Sequence, residues 1–125
     1  MWRHTASVDY AIKILICLAN EKRALSSSLL ANHVETSPRY VLYICKKLKD
    51  AGIVLAFYGT NGGFALRKDP RNICIYDVAT AMGQHIEYSP VKRIDSKFDK
   101  LLYFYSKQTA RLLFELKSTS IADLC

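Results

Sequence analysis

Basic and tyrosine side chains recur at helical spacing near the middle of the chain. Arg39, Tyr43 and Lys46 are separated by four and three residues, with Tyr40 and Lys47 beside them. Residues at this spacing share one face of an α-helix. Guanidinium and ammonium groups pair with phosphate oxygens, and an arginine near a helix start can also donate to the edge of a base. The pattern predicts a surface that binds a phosphate-rich polyanion; the alternative is a face that is merely solvated.

The segment that carries these residues shows the capping residues and the apolar face that are typical of an α-helix. Ser37 suits the N-cap, and Pro38 suits the first helical turn. Gly52 suits the C-cap, so the helix should end near Asp50. The opposite face of this helix carries an apolar stripe, which should pack in the core. The stripe consists of Val41, Ile44, Cys45 and Leu48.

Two earlier segments also predict helices. The first covers about residues 9–20, has a wide apolar stripe and can be capped by Ser7 or Thr5. The second begins in a run of serines and covers about residues 26–34. These serines are interpreted as caps, with phosphate contact by Ser28 as the alternative. A short turn between two helices, the second with a basic outer face, is typical of a helix-turn-helix.

A glycine-rich hairpin is predicted directly after the basic helix. Residues 53–58 and 64–67 are β-prone, and the loop between them reads Gly-Thr-Asn-Gly-Gly. Glycine lets such a loop approach a phosphate or enter a minor groove, because no side chain intervenes. A hairpin in this position is the wing of a winged helix. The predicted contacts with duplex DNA are Ser28, Ser37, Arg39, Tyr40, Tyr43, Lys46, Lys47, Tyr58, Thr60, Asn61 and Gly62.

The last part of the chain predicts a second interface. A short helix over residues 77–82 should close the first domain, and a long helix is expected from about 95 to 117, with one further turn after it. A small winged domain has too little core to cover the apolar stripe of so long a helix, so we expect a second subunit to cover it. The predicted dimerisation residues are Phe98, Leu101, Leu102, Tyr105, Leu112 and Leu116.

The expected architecture is mainly α with a small two-stranded β wing. A winged helix-turn-helix domain should cover residues 1–83, a connecting loop 84–94, and the dimerisation helix with its C-terminal turn 95–125. The 125 residues have a net charge of +7, and up to Arg93 there are 13 Lys and Arg against 7 Asp and Glu. The basic surplus therefore belongs to the winged part. No apolar run is long enough for a membrane span and no export signal is visible, so we expect a cytoplasmic protein with no membrane partner.

The sequence gives little support for catalysis or metal binding. The three histidines have no neighbours that would form a catalytic triad, and no phosphate-binding lysine motif follows the glycine loop. The four cysteines form no CxxC pair, which favours free thiols in a reducing compartment. We expect no enzyme activity, no metal and no cofactor. Cys74, just after the wing, is a candidate redox switch, although an inert buried position is favoured.

Several stretches resemble the Rrf-two family of bacterial winged-helix regulators, which includes IscR, NsrR and CymR. The matching stretches are residues 9–13, 37–41, 48–54, 59–66, 75–78 and 120–124. The block from the end of the basic helix into the wing is the most specific of them. The resemblance implies a dimeric transcription regulator, often a repressor, whose third helix enters the major groove of DNA while its wing enters the minor groove.

The chain also departs from the family pattern. Leu42 and Tyr43 stand where members commonly carry Glu and Gln, and Tyr58 stands where they commonly carry Arg, so a known operator is not carried over. Iron–sulfur members have three cysteines in the segment that corresponds to residues 83–93, where this chain has none. The sequence predicts a homodimeric regulator of a two-fold symmetric operator. The alternatives are a protein-interaction module without DNA specificity and a thiol-based sensor.

Overall fold

Five α-helices and one two-stranded antiparallel sheet form the described part of the chain. The computed structural model describes residues 2–3, 5–86 and 97–125. The elements are α1 (Ala6–Glu21), α2 (Ser27–Val34), α3 (Pro38–Asp50), β1 (Val54–Phe57), β2 (Gly63–Leu66), α4 (Ile75–Ala81) and α5 (Asp99–Ser118), with 3₁₀ turns at Pro70–Asn72 and Ala122–Leu124. The prediction of a mainly α fold with a small two-stranded wing is confirmed.

Side-chain caps fix the starts of the first three helices. The hydroxyls of Thr5, Ser26 and Ser37 each accept a hydrogen bond from the amide three residues later, at 3.4, 3.2 and 3.1 Å. Each bond satisfies an amide that has no carbonyl partner within its helix. Thr5 rather than Ser7 is therefore the cap of α1, and Ser26 is the cap of α2. Ser28 lies exposed in the first turn of α2.

The core lies between α1, α2, α3 and α4. The predicted apolar stripe of α3 is buried along its whole length, since Val41, Ile44, Cys45 and Leu48 each have 0% of their surface exposed. Full burial of a Val- or Leu-sized side chain contributes about 1.5–3 kcal/mol. One face of α3 is therefore fixed against the core, and the opposite face must point away from it.

The hairpin is tied to the rest of the domain through its second strand. β1 and β2 pair in the register that places Phe57 opposite Gly63. On its other edge, β2 exchanges two backbone hydrogen bonds with Leu25, because the Leu25 amide donates to the Phe64 carbonyl at 2.9 Å and the Phe64 amide donates to the Leu25 carbonyl at 2.8 Å. A Cβ at Gly63 would lie 2.3 Å from the Leu25 carbonyl oxygen, so only glycine permits this approach.

The C-terminal turn packs back on the segment that leads from the wing into α4. The Ile75 amide donates to the Thr119 carbonyl at 2.9 Å, and the Ile121 amide donates to the Ile73 carbonyl at 2.8 Å. Ile121 is fully buried, and Leu116 is only 8% exposed. The expectation that Leu116 contacts a second subunit is therefore corrected. It packs in the core of its own chain, because the end of α5 lies against α4.

The helices near the C-terminus differ from the predicted bounds. α4 begins at Ile75 rather than at residue 77, and α5 begins at Asp99 after a turn at 97–98. The predicted start at residue 95, like most of the predicted connecting loop, lies outside the described residues. Residues 84–86 are described, and Ile86 among them is buried in the core. Among the helices that the structure describes, none has the length and apolar character needed to cross a membrane.

Candidate nucleic-acid interface

The outer face of α3 is basic and exposed. It carries Arg39, Leu42, Tyr43 and Lys46, all of which are exposed. Asp50 is the single acidic residue in this helix, which holds four lysines and arginines. Its carboxylate lies 4.0 Å from the Lys46 ammonium, but both side chains are exposed and solvent screens the pair. Within the described residues Arg39 has no ion pair, and the helix as a whole keeps a surplus of three positive charges, four cations against one carboxylate.

Three tyrosine rings, hereafter the tyrosine row, lead from α1 to the outer face of α3. Tyr10 meets Tyr40 edge-on with ring centroids 5.4 Å apart, and Tyr40 stacks on Tyr43 at 6.0 Å and 19°. The Lys47 ammonium lies 4.8 Å from the centroid of the Tyr43 ring. An aromatic pair in these geometries contributes about 0.5–1.5 kcal/mol beyond the area it buries. The row therefore restrains the Tyr43 ring while leaving the residue 52% exposed.

The tyrosine row changes the interpretation of two predicted contact residues. Tyr40 and Lys47 are half-buried, and their side chains are engaged with other members of this group. They support the outer face from the side instead of projecting from its centre. Tyr10 was not among the predicted residues. Its ring belongs to α1 and contacts Tyr40 of α3. Periodicity within one segment cannot reveal a contact between two helices.

A cleft of about 480 Å³ separates α3 from the wing. Its lining includes Lys46 and Lys49 of α3, Ser26 at the start of α2 and Tyr58 of the wing. The Lys49 ammonium donates a hydrogen bond to the Tyr58 hydroxyl at 3.3 Å and lies 5.7 Å from the centre of its ring. Two ammonium groups above an open cleft are suited to a phosphate backbone. The sequence did not single out Lys49, because only the folded hairpin brings it beside the wing.

The tip of the wing is a narrow loop that exposes Thr60 and Asn61. The Gly62 amide donates to the Gly59 carbonyl at 3.0 Å and closes the turn. Gly59 has a φ of +101°, which a residue with a side chain rarely adopts. A Cβ at Gly62 would lie 2.4 Å from the carbonyl oxygen of Phe57. The glycines therefore keep the loop thin and direct its two polar side chains outward.

Two predicted contact residues lie at helix starts. Ser28 is in the first turn of α2 and Ser37 is the cap of α3, and both are exposed. The first turn of a helix carries partial positive charge, which favours a nearby phosphate. The Ser37 hydroxyl already accepts the Tyr40 amide, so it has its own hydrogen to donate to an anion.

The hairpin beyond a three-helix unit and the exposed third helix define a winged helix-turn-helix protein. Within that class, the chain belongs to the Rrf2 family, whose model, described as an iron-dependent transcriptional regulator, matches residues 4–125. The resemblance to the Rrf-two family is thus confirmed. Members of this family are transcriptional regulators, so the expectation that the chain is not an enzyme is also confirmed.

Named relatives match part of the chain. YffB of Lactococcus lactis, named as an HTH-type transcriptional regulator, is 40% identical over 76 residues, which cover 59% of this chain and 49% of the relative. An rrf2-like HTH-type regulator of Rhodobacter capsulatus is 34% identical over 79 residues, covering 59% of this chain and 53% of the relative. The chain thus spans about half the length of the curated relatives that it matches.

Solved structures of similar fold match nearly the whole chain. CymR, the global cysteine regulator of B. subtilis, superposes with a TM-score of 0.85 at 24% identity over 99% of this chain and 96% of CymR. IscR of T. potens superposes with a TM-score of 0.72 at 21% identity over 98% of this chain and 85% of IscR. At these identities the likeness supports the winged-helix fold and nothing more specific.

The donor set of this chain does not fit an iron–sulfur cluster. In residues 2–3, 5–86 and 97–125, no three His, Cys, Asp or Glu side chains are grouped so as to hold a metal ion. The cysteines lie in α1, in the buried face of α3, before α4 and at the C-terminus, whereas a cluster needs several thiolates in one place. Burial raises the pKa of the Cys45 thiol to about 12 and also raises the pKa values of Cys17 and Cys74. Cys74 is half-buried, and its raised pKa disfavours the thiolate, in keeping with the inert position that the sequence favours over a redox switch.

Proposed function

We propose that this chain is a transcriptional regulator that binds double-stranded DNA sequence-specifically as a cytoplasmic homodimer and acts by repression. In this proposal, α3 enters the major groove and the wing enters the adjacent minor groove. The observation that supports it most strongly is that the basic face of α3 and the thin glycine loop flank one cleft. The core stripe of α3 and the bonds between β2 and Leu25 fix both elements in that arrangement.

The side chains divide into two kinds of contact. Arg39 lies at the start of α3, where a recognition helix meets base edges, and its fork of donors matches the acceptors of guanine. Lys46 and Lys49 lie beside the cleft and are suited to the phosphate backbone that runs between the two grooves. Thr60 and Asn61 at the wing tip would contact the minor groove. Arg39 would therefore carry sequence preference, and the lysines would carry general affinity.

The exposed apolar surface of α5 is the feature that supports a homodimer. Phe98, Leu101, Leu102 and Tyr105 are all exposed, and Phe104 extends this surface. An exposed apolar patch of this kind is typical of a protein–protein interface. A second copy of the same helix would cover it by two-fold symmetry and would place two recognition helices on one duplex.

The test of DNA binding is a titration of a fluorescent duplex with the purified protein at several salt concentrations. We expect the logarithm of the binding constant to fall linearly with the logarithm of salt concentration, because bound cations release counterions from the phosphates. Arg39→Ala should weaken binding to the preferred sequence by about 1–3 kcal/mol and relax the preference. Binding that is absent, or that does not respond to salt, would contradict the proposal.

Arg71→Ala is the matched control for this titration. It removes one positive charge, as Arg39→Ala does, but Arg71 is already paired with Asp69 at 2.8 Å in the 3₁₀ turn beyond the hairpin. Its hydrogen bonds hold the pKa of the Asp69 carboxyl down at about 2. We expect Arg71→Ala to leave sequence preference unchanged. Equal losses in both variants would show that net charge, rather than the face of α3, governs binding.

A protein-interaction module of the same fold is the second candidate. It is favoured by Leu42, Tyr43 and Tyr58, three large side chains of limited polarity on the surface that would face DNA. Selection from a random duplex pool separates the two candidates. A DNA-binding regulator should enrich a defined motif, whereas an interaction module should enrich none.

A further inference from the structure

Leu42 and Tyr43 occupy the centre of the outer face of α3. Leu42 is 50% exposed and Tyr43 is 52% exposed. Leu42 also lines the cleft beside Lys46, so an apolar side chain lies among cations that would face the duplex. Exposed apolar surface gains free energy when a partner removes it from water. The question is which apolar group a duplex can offer at this place.

The major groove offers one such group on its base edges, the C5-methyl of thymine. The sequence of α3 contains no Asn or Gln, the side chains that pair in bidentate fashion with adenine. Leu42 and Tyr43 follow Arg39 by three and four residues and are its neighbours on the helix surface. This face can therefore read a guanine through Arg39 and an adjacent thymine through apolar contact.

The Tyr43 ring is also oriented by its neighbours before any such contact forms. Its ring stacks on Tyr40, which is itself packed against Tyr10, and the Lys47 ammonium lies over the same ring. A side chain that is already oriented loses little entropy when it binds. The half of Tyr43 that stays exposed is thus a fixed surface and not a freely rotating one.

We infer that Leu42 and Tyr43 are specificity-determining residues that recognise thymine through its C5-methyl group in the major groove, next to the base contacted by Arg39. This inference rests on the proposed binding of duplex DNA. It assigns thymine, rather than adenine, as the base that α3 requires besides guanine. Lys46, one turn further along the same face, contacts the backbone and takes no part in the discrimination.

The experiment removes the methyl group alone. A duplex enriched from a random pool by the full chain is resynthesised with each thymine replaced in turn by deoxyuridine, which differs from thymine only at C5. Binding of each duplex is measured by fluorescence anisotropy. At thymines read by α3, the dissociation constant of the unmodified protein should rise about three- to fivefold, the value expected for one buried methyl group.

Leu42→Ala and Tyr43→Ala identify the side chains that make the contact. Each variant should lose the difference between thymine and uracil at the position that it reads and keep the difference elsewhere. Both side chains are half exposed and Ala favours a helix, so α3 should still form, which circular dichroism can verify. Leu124→Ala removes an exposed leucine at the C-terminal turn and should leave every thymine preference unchanged.

The outcomes separate this inference from the proposed function. If the protein enriches a motif but no thymine responds to deoxyuridine, the inference is wrong and DNA binding stands. If the response persists in both variants, another residue reads the methyl group and the inference is again wrong. If no duplex is bound at all, the proposed function fails and the inference fails with it.

Discussion

α3 and α5 are both amphipathic helices, but they use their apolar residues in opposite ways. The apolar stripe of α3 is fully buried within its own chain, and the surface that it leaves carries Arg39, Lys46 and Lys49 around the half-exposed Leu42 and Tyr43. In α5, Leu116 is buried, whereas Leu101, Phe104 and Phe114 are exposed. Amphipathic pattern alone therefore does not say which partner a helix has. The partner follows from what each helix leaves uncovered.

The exposed surfaces of α3 and α5 therefore suit two different kinds of partner. The uncovered part of α3 has cations with few acidic neighbours, which an anionic polymer can neutralise. The uncovered part of α5 has large apolar side chains, which only another apolar surface can remove from water. We therefore assign the duplex to α3 and a second copy of the chain to α5. Four predictions test this assignment.

The largest effect is expected inside α3 itself. Ile44→Ala should lower the free energy of unfolding by about 2–5 kcal/mol, because Ile44 is fully buried and its truncation leaves a cavity. Leu42→Ala, on the exposed face two residues earlier, should change it by no more than about 0.5 kcal/mol. Urea denaturation at one protein concentration measures both. Similar losses from the two variants would contradict the division of α3 into a core face and an outer face.

The next largest effect is expected at the apolar surface of α5. Leu101→Asp should raise the dissociation constant of the dimer at least about 100-fold, because it would bury an unpaired carboxylate between subunits. Ala110→Asp is the matched control, since it adds the same charge about two and a half turns later, on the opposite side of the helix. Sedimentation equilibrium reports the association state. A dimer that tolerates Leu101→Asp would place the subunit interface elsewhere.

A smaller effect is expected from Lys49 of α3, whose ammonium lies beside the cleft next to the wing. Lys49→Ala should weaken binding to all duplexes alike and reduce the slope of log affinity against log salt by about one, as for loss of a single phosphate contact. Lys107→Ala removes an exposed lysine from α5 and should not alter the slope. The measurement is a salt titration with two unrelated duplexes. A loss confined to one sequence would mean that Lys49 contacts a base.

The smallest effect is expected in the chemical labelling of the cysteines. Labelling rates distinguish buried from exposed thiols, and the measurement needs no substitution. Cys45 lies in the core face of α3, where burial raises its pKa to about 12, and Cys125 is exposed at the end of the chain. At mildly alkaline pH, a thiol reagent should label Cys125 readily and Cys45 only after unfolding. Mass spectrometry of proteolytic fragments identifies the modified residue. Early labelling of Cys45 would show that α3 separates from the core in the native state.

Most of the fold could be predicted because its signals are local. Ser37 and Pro38 fix the start of α3, and the stripe that ends at Leu48 has the period of a helix buried on one side. The hairpin could be predicted for the same reason, since its turn residues lie between two β-prone runs. The bounds were less accurate, and α1 begins at Ala6 because Thr5 rather than a later residue supplies the cap.

The rest depends on contacts between distant segments. Leu116 belongs to the periodic stripe of α5, but the return of the C-terminal turn buries it in the core of its own chain. Lys49 approaches Tyr58 only after the hairpin folds back, and Tyr10 meets Tyr40 only when α1 packs across α3. Helical spacing within one segment contains no information about such pairs. The residues of the candidate site along α3 and at the wing tip could thus be proposed from the sequence. The contacts that orient them, such as Tyr10 with Tyr40 and Lys49 with Tyr58, could not.

Selection from a random duplex pool tests the central claim most directly when the unmodified protein and Leu101→Asp are compared under the same conditions. We predict that the unmodified protein enriches a two-fold symmetric motif with half-sites about one helical turn apart, roughly 34–36 Å. Leu101→Asp should enrich at most a single half-site, because it leaves α3 intact and separates the subunits. An unmodified protein that enriches no motif, or a variant that enriches the full symmetric motif equally well, would contradict the account.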